Sequence, residues 1–345
     1  MIGFMLAVVQ AAAPACGAGA TLQQLADAGL QFSRQAKYEA AADCYRKALA
    51  IDPKLLPAQM NLGLAEFKQE HFARATGPFR AALDLDPSNF QARTLLGMSY
   101  YGEGKYAEAV KTILPAVHEQ PDNASLRFIL AQSALWAGQY EEAQTQFEWL
   151  LRKDPNSVET HILLGEALDG LRRTDEAIAE FQAAAKRSPT AFNVHFGLGY
   201  LYWKQQQDEE AEREFRLEIA RGAQHAQAWA FLGDVLLRQE KPAEAVAALT
   251  EALRLDPKCR LAHLDLGIAS IEAKKYVRAR AELTEAARLE PGKADAHFQL
   301  ARLNRLMGKD DEAQKELDIV QRLKQSEKEE ELHKISGKAP KLPGQ

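Results

Sequence analysis

Nine alanines stand 34 residues apart along the chain, at Ala41, Ala75, Ala109, Ala143, Ala177, Ala211, Ala245, Ala279 and Ala313, with no insertion or deletion between them. A fixed period of this length is the signature of a repeat array, in which each repeat is one supersecondary unit that cannot bury its apolar face alone. The spacing therefore predicts a solenoid. By length alone, 345 residues could equally make two ordinary domains. The period also moves the search for function from a catalytic cleft to an extended surface.

With the alanine as the twentieth position, the repeats begin near residues 22, 56, 90, 124, 158, 192, 226, 260 and 294. The eighth position is small throughout: Gly29, Gly63, Gly97, Ala131, Gly165, Gly199, Gly233, Gly267 and Ala301. The seventh is Ala28 in the first repeat and leucine in all the others. The twenty-fourth is large and apolar, from Tyr45 and Phe79 through Phe215 to Leu317. Proline holds the thirty-second position in seven repeats. Apolar residues at three- and four-residue steps indicate amphipathic helices, two of about 12–14 residues per repeat. A small residue on the first helix and an alanine on the second let the axes approach, where a larger side chain would overpack. The large residue fills the space between one hairpin and the next. Proline cannot donate to a helix and disfavours helical geometry just before it, so it ends each repeat.

These residues resemble tetratricopeptide repeats. Leu96-Gly97, Tyr100, Gly104, Tyr106, Ala109, Ala116 and Pro121 carry the resemblance in repeat three, and Trp229, Leu232-Gly233, Ala245, Ala252 and Pro257 in repeat seven. The resemblance implies an all-α, right-handed superhelical solenoid of nine helix-turn-helix units over 21–327, whose first helices line a concave groove. It says little of function, because the motif residues are packing residues.

Departures from the pattern carry their own expectations. Repeat six has Asp208 where an aromatic is common, Glu218 where alanine is usual, and Ala223 in place of proline. These predict a looser or re-angled junction with repeat seven, or simply a Glu218 that leans out to solvent. Pro78 and Pro115 fall inside second helices and should kink or shorten them. Lys315–Lys334, dense in lysine and glutamate, reads as a solvating cap, because a terminal repeat has no neighbour to cover it. Residues 328–345 form the charged end of that cap and a disordered tail.

A net charge of -5 gives no electrostatic footprint for nucleic acid. Met1–Ala20 has no charged side chain, is apolar from Ile2 to Ala13 and ends in Ala18-Gly19-Ala20, as a cleaved signal peptide would. No lysine or arginine precedes the apolar stretch, so a lipid anchor on Cys16 and a retained N-terminus stay open. A signal would place the protein outside the cytoplasm, in a periplasmic or extracytoplasmic setting; a retained segment would leave it cytoplasmic. Of the three cysteines, Cys44 and Cys259 lie six repeats apart, too far to pair, and Cys44 reads as a packed thiol.

No phosphate-cradling glycine loop, zinc-protease motif or paired-cysteine metal spacing is present. His161, His195, His263 and His297 share one repeat position, the fourth, but helix spacing of about 8–10 Å does not converge them on a zinc ion with ligands about 2.0–2.1 Å away. No metal or cofactor is expected, and no stretch outside the repeats is long enough for a catalytic domain. Function then lies on the groove. The fifth, ninth, twelfth and thirteenth positions carried over from the family hold mostly apolar and aromatic residues in repeats two, three, four and six: Met60, Leu64 and Phe67; Met98 and Tyr101; Phe128 and Trp136; Phe196, Tyr200 and Trp203. Large aromatics and methionines favour adaptable recognition surfaces. Repeats five, seven and nine are charged there, with Glu166, Asp169, Asp234, Arg238, Arg302 and Arg305. The asparagine ladder and carboxylate clamp of some family members are missing. The sequence thus predicts a non-enzymatic scaffold that binds a peptide or partner protein and, if exported, serves envelope or secretion-complex assembly. The alternative is a homo-oligomer that buries its own groove.

Overall fold

The computed structural model describes residues 16–17, 19–222 and 224–336. Most of the expected leader (1–15), Ala223 and the expected tail from residue 337 lie outside the described residues. The described residues form eighteen α-helices and no strand, two helices per 34-residue period. They divide into two compact units, the first ending at Ala177 and the second beginning at Ile178.

In the first unit the first helices of the repeats are α1 (Leu22–Arg34), α3 (Leu56–Lys68), α5 (Phe90–Gly102), α7 (Ala124–Trp136) and α9 (Val158–Gly170). The second helices are α2 (Tyr38–Ile51), α4 (Phe72–Leu85), α6 (Tyr106–Glu119) and α8 (Tyr140–Lys153), and α10 (Thr174–Arg187) carries the boundary between the units. In the second unit the first helices are α11 (Val194–Lys204), α13 (Ala226–Arg238), α15 (Arg260–Glu272) and α17 (Ala294–Leu306). Their partners are α12 (Asp208–Ala220), α14 (Pro242–Leu255), α16 (Tyr276–Leu289) and α18 (Asp310–Ser336).

Local chemistry starts and stops these helices. The Asn89, Asn123 and Ser157 side chains accept from the third N–H of α5, α7 and α9, satisfying an orphan donor. Thr21 and Gln24 close a reciprocal capping box on α1. At repeat exits, Asp52, Asp86, Asp154 and Asp256 accept from the N–H two residues on, across the following proline. The turn between paired helices requires a left-handed residue at the fifteenth position. Glycine supplies it at Gly104, Gly138 and Gly308, but Ala36, Glu70, Arg172, Gln206, Glu240 and Lys274 adopt it at φ 56–60°.

The period is a packing constraint. Eight of the nine alanines have no accessible surface, and Ala313 has 1 %. The large twenty-fourth residue packs within its own hairpin as well as against the next. A Cβ on Gly63 would lie 2.6 Å from Phe79 Cε1, and one on Gly199 2.7 Å from Phe215 Cδ1. Tyr45 also joins Ala58 and Leu62 of repeat two, and Leu283 joins Ala296 and Leu300 of repeat nine.

Three expectations are corrected. Of the two outcomes expected at Pro78 and Pro115, shortening does not occur; α4 and α6 keep 14 residues each with the proline inside. Glu218 does not lean out to solvent. It is 2 % exposed, 3.4 Å from His225 Nδ1, and that hydrogen bond holds its carboxyl below the usual range. The side chain thereby links α12 to His225, the residue that precedes α13. Cys44 is not a free thiol but pairs with Cys16 across a Cα–Cα distance of 5.4 Å. The segment before α1 folds back on α2, where Lys47 Nζ donates to the Cys16 carbonyl at 2.7 Å.

Repeat six begins late. Asn193, at φ 61°, precedes an 11-residue α11, two residues shorter than the 13-residue first helices elsewhere. At the far end, α18 runs unbroken for 27 residues, so the lysine- and glutamate-rich stretch continues the last helix.

Candidate partner-binding surface

The first helices present their fifth, ninth, twelfth and thirteenth positions on one face. In the first unit, Met60, Leu64, Phe67, Met98, Tyr101 and Phe128 are half-buried, while Trp136 is 53 % exposed. Phe67 is fixed edge-on to Phe72 at 5.4 Å, and Tyr101 to Tyr106 at 5.6 Å. Tyr106 in turn flanks the Trp136 ring at 6.5 Å. The Tyr101 hydroxyl donates to Gln132 Oε1 at 3.3 Å, tying the twelfth position of one repeat to the ninth of the next. Beside Phe128 a cavity of about 490 Å³ opens, lined by Ser125, Phe128, Ile129, Leu150, Glu159 and Thr160. Leu64, Met98 and Trp136 reach no charged partner, so this face offers apolar contact area with few polar anchors.

In the second unit, Phe196, Tyr200 and Trp203 on α11 gather around Phe231 of α13. The Trp203–Phe231 centroid distance is 4.9 Å and the Tyr200–Phe231 distance 5.6 Å. Rings this close touch one another, so the cluster is a filled aromatic ridge rather than an open cage. Phe231 is the sixth residue of repeat seven, outside the groove positions carried over from the family; its aromatic role comes from the neighbouring repeat. The Trp203 indole N–H donates to Asp234, and Arg238 reaches both Asp208 (2.6 Å) and Asp234 (3.3 Å).

Next to this ridge lies a buried carboxyl. Asp265 of α15 is 3 % exposed, and its Oδ2 has no hydrogen-bond partner in the structure. Burial, then the negative charges of Asp234 and Asp295, push its pKa well above the ordinary range, against Arg238 and Arg260. Glu166 of the first unit is also raised, by burial alone.

The shared-position histidines are engaged elsewhere. Nδ1 of His195, His263 and His297 lies 2.7–2.8 Å from Glu214, Glu282 and Glu316 of the paired helix. Nε2 of His161, His195 and His263 lies 3.0–3.1 Å from the Pro155, Pro189 and Pro257 carbonyls. They staple each hairpin to the preceding turn. Repeat seven replaces both members of the staple, with Trp229 and Ala248, and a cavity of about 440 Å³ opens there. Among the described residues no cluster of His, Cys, Asp or Glu has the geometry of a metal site, and no helix is long and apolar enough to cross a membrane.

Paired helices, stacked at a fixed period and presenting an aromatic and charged first-helix face, define a helical repeat scaffold. Residues 26–90, 94–137, 128–192, 162–226, 196–258, 232–294 and 270–334 match the tetratricopeptide repeat. The chain belongs to the tetratricopeptide repeat family, whose fold points to protein interaction and whose members are generally non-enzymatic scaffolds. No curated protein sequence matches it. Among solved structures it is similar to the Cut9–Hcn1 hetero-tetramer of the APC/C, at 15 % identity over 88 % of this chain and 73 % of that one, TM-score 0.57. It is also similar to a tetratricopeptide repeat protein from Parabacteroides merdae, at 16 % identity over 72 % and 98 %, TM-score 0.52. A third similar structure is YrrB, described as having an unusual peptide-binding site, at 20 % identity over 51 % and 91 %, TM-score 0.42.

Proposed function

We propose that the protein is a non-enzymatic scaffold that binds a peptide or partner segment on its first-helix face, with aromatic side chains as anchors. The observation that carries this reading is Trp136, 53 % exposed at the end of α7 with Tyr106 beside it. A single exposed apolar residue needs no explanation, but an aromatic that belongs to a contiguous patch points to an interaction site, and tryptophan is enriched at binding hot spots. The ligand chemistry that fits is an apolar or aromatic side chain against Trp136 and Met98. The ridge of Tyr200, Trp203 and Phe231 offers a second such contact, bordered by Asp234. A photo-crosslinking amino acid at position 136 tests this reading. Adducts with one partner at 136, and none at Val277, which is 88 % exposed on α16, support it. Equal adducts at both positions, or none at either, count against it.

The Cys16–Cys44 pairing supports an oxidising, extracytoplasmic setting. Cleavage after Ala20 would discard Cys16, so a chain that keeps this bridge is not cut there. N-terminal sequencing of the mature protein decides this, and a start at Thr21 would remove the argument.

A further inference from the structure

The array is capped at one end and open at the other. On α1, Gln24 and Gln31 are exposed at the third and tenth positions. In every later repeat these positions are buried against the preceding one, as with Ala58 and Ala65 or Ala296 and Leu303. The first repeat thus meets water with polar side chains, as a terminal repeat should. The last repeat does not. Leu317 is only half-buried, whereas the twenty-fourth residues Tyr45, Phe79, Ile113, Phe147, Phe215, Leu249 and Leu283 are 0–1 % exposed. Phe298 and Leu306 are each 52 % exposed, and a cavity of about 290 Å³ lies between them, floored by Ala301 and Leu317 and edged by Arg302 and Arg305. In repeat eight the equivalents of Phe298 and Leu317, Leu264 and Leu283, pack with Ala296 and Leu300 of the next first helix. Because α18 continues as one helix to Ser336, no tenth first helix covers repeat nine among the described residues.

We propose that this open end is a docking site for an amphipathic helix of a partner protein, seated as a tenth first helix and presenting a carboxylate to Arg305. The register fixes where the carboxylate falls. At two junctions the twelfth residue of one repeat bonds the ninth residue of the next: Tyr101 to Gln132, and Trp203 to Asp234. Arg305 is the twelfth residue of the last repeat, and it makes no hydrogen bond or ion pair among the described residues. Where repeat eight has the apolar Ile271, repeat nine has a cation, so the incoming helix must place an acid at its own ninth position. Arg302, already bonded to Glu272 at 2.6 Å, adds to the positive field.

Two other occupants fit less well. A second copy docking head to tail would bring α1, and with it Gln24 and Gln31, onto Leu317 and Phe298. The chain's own residues 337–345 carry two lysines and two prolines, the wrong charge for Arg305 and the wrong composition for a helix.

The probe is a blocked synthetic peptide of the α13 sequence, residues 226–238, which holds an aspartate at the ninth position and Ala228 and Val235 at the third and tenth. Binding to the full chain is read by fluorescence anisotropy, with hydrogen exchange locating the contact. The expected result is saturable binding, with protection gained on α17 and α18. Binding should weaken about tenfold, the loss of one charge-assisted bond, for Arg305→Gln or for the peptide with asparagine at position nine. Leu317→Gln should abolish it, while circular dichroism shows both variants folded. No binding, affinity unchanged by Arg305→Gln and by the asparagine peptide, or protection on α11 and α13 instead, would overturn the proposal. A dimer in sedimentation that Leu317→Gln dissolves would overturn it in favour of a second copy.

Discussion

The Trp203 indole N–H donates to the Asp234 carboxylate, 31 residues and one repeat further along. The same bond orients the indole against Phe231 and holds the acid beside Arg238. One side chain therefore serves both the junction between repeats and the candidate surface. Trp203→Phe keeps a ring but removes the donor, leaving Asp234 to Arg238 alone. We expect a loss of about 1–2 kcal/mol in the stability of repeats six and seven, measured by hydrogen exchange on α11 and α13, with little change on α17.

Asp265→Asn should stabilise the protein at neutral pH. The folded chain favours the protonated carboxyl because burial and the Asp234 and Asp295 charges outweigh Arg238 and Arg260. Above the ordinary carboxylate range the unfolded chain has lost this proton while the folded chain keeps it, so stability falls as pH rises toward the folded pKa. The asparagine lacks that slope. Denaturant unfolding should show the variant more stable than wild type at pH 7, the gap narrowing as pH drops toward 4.

Ala36→Gly, Glu240→Gly and Lys274→Gly should each stabilise the chain. All three residues hold φ of 56–59° in the turn between paired helices, where a Cβ costs about 1 kcal/mol or more. A rise in the denaturation midpoint, against a fall for the same change at an ordinary helical position such as Ala247, checks the assignment.

Ala245→Leu should open its neighbourhood and leave distant repeats intact. Ala245 has no accessible surface between α13 and α14, and an overpacked core site costs about 1–3 kcal/mol. In a nearest-neighbour array the loss appears as faster exchange in α13 to α16, with α3 to α6 unchanged.

Reduction or Cys44→Ser should free the segment before α1. The bridge closes a loop with a sequence separation of 28, for which chain entropy predicts at most about 3–4 kcal/mol, felt locally in the first repeat. Intact mass before and after reduction reads the bond directly, and Lys47 should become more reactive to acylation once its contact with the Cys16 carbonyl is lost.

The 34-residue period made the hairpins legible, because Gly63 and Phe79, or Ala41 and Tyr45, carry their packing role in their size. What stayed hidden depends on pairs distant in sequence. Cys16 lies before the first repeat, so no repeat position marks it as the partner of Cys44. Glu218 departs from the pattern, but its partner His225 lies beyond a turn with no periodic signal. The groove residues Phe196, Tyr200 and Trp203 were marked by type, yet their mutual packing depends on Phe231. The half-burial of Leu317 follows from what fails to come next, which no position within the repeat records.

The most direct test of the scaffold account is quantitative capture from the native host by the full chain, comparing wild type with Trp136→Ala, with Trp203→Ala and with Val277→Ala on α16. The account predicts at least one partner retained by wild type and by Val277→Ala, and depleted about tenfold or more by a first-helix-face variant that remains folded, as for loss of a binding hot spot. Retention of every partner by all three variants would contradict it.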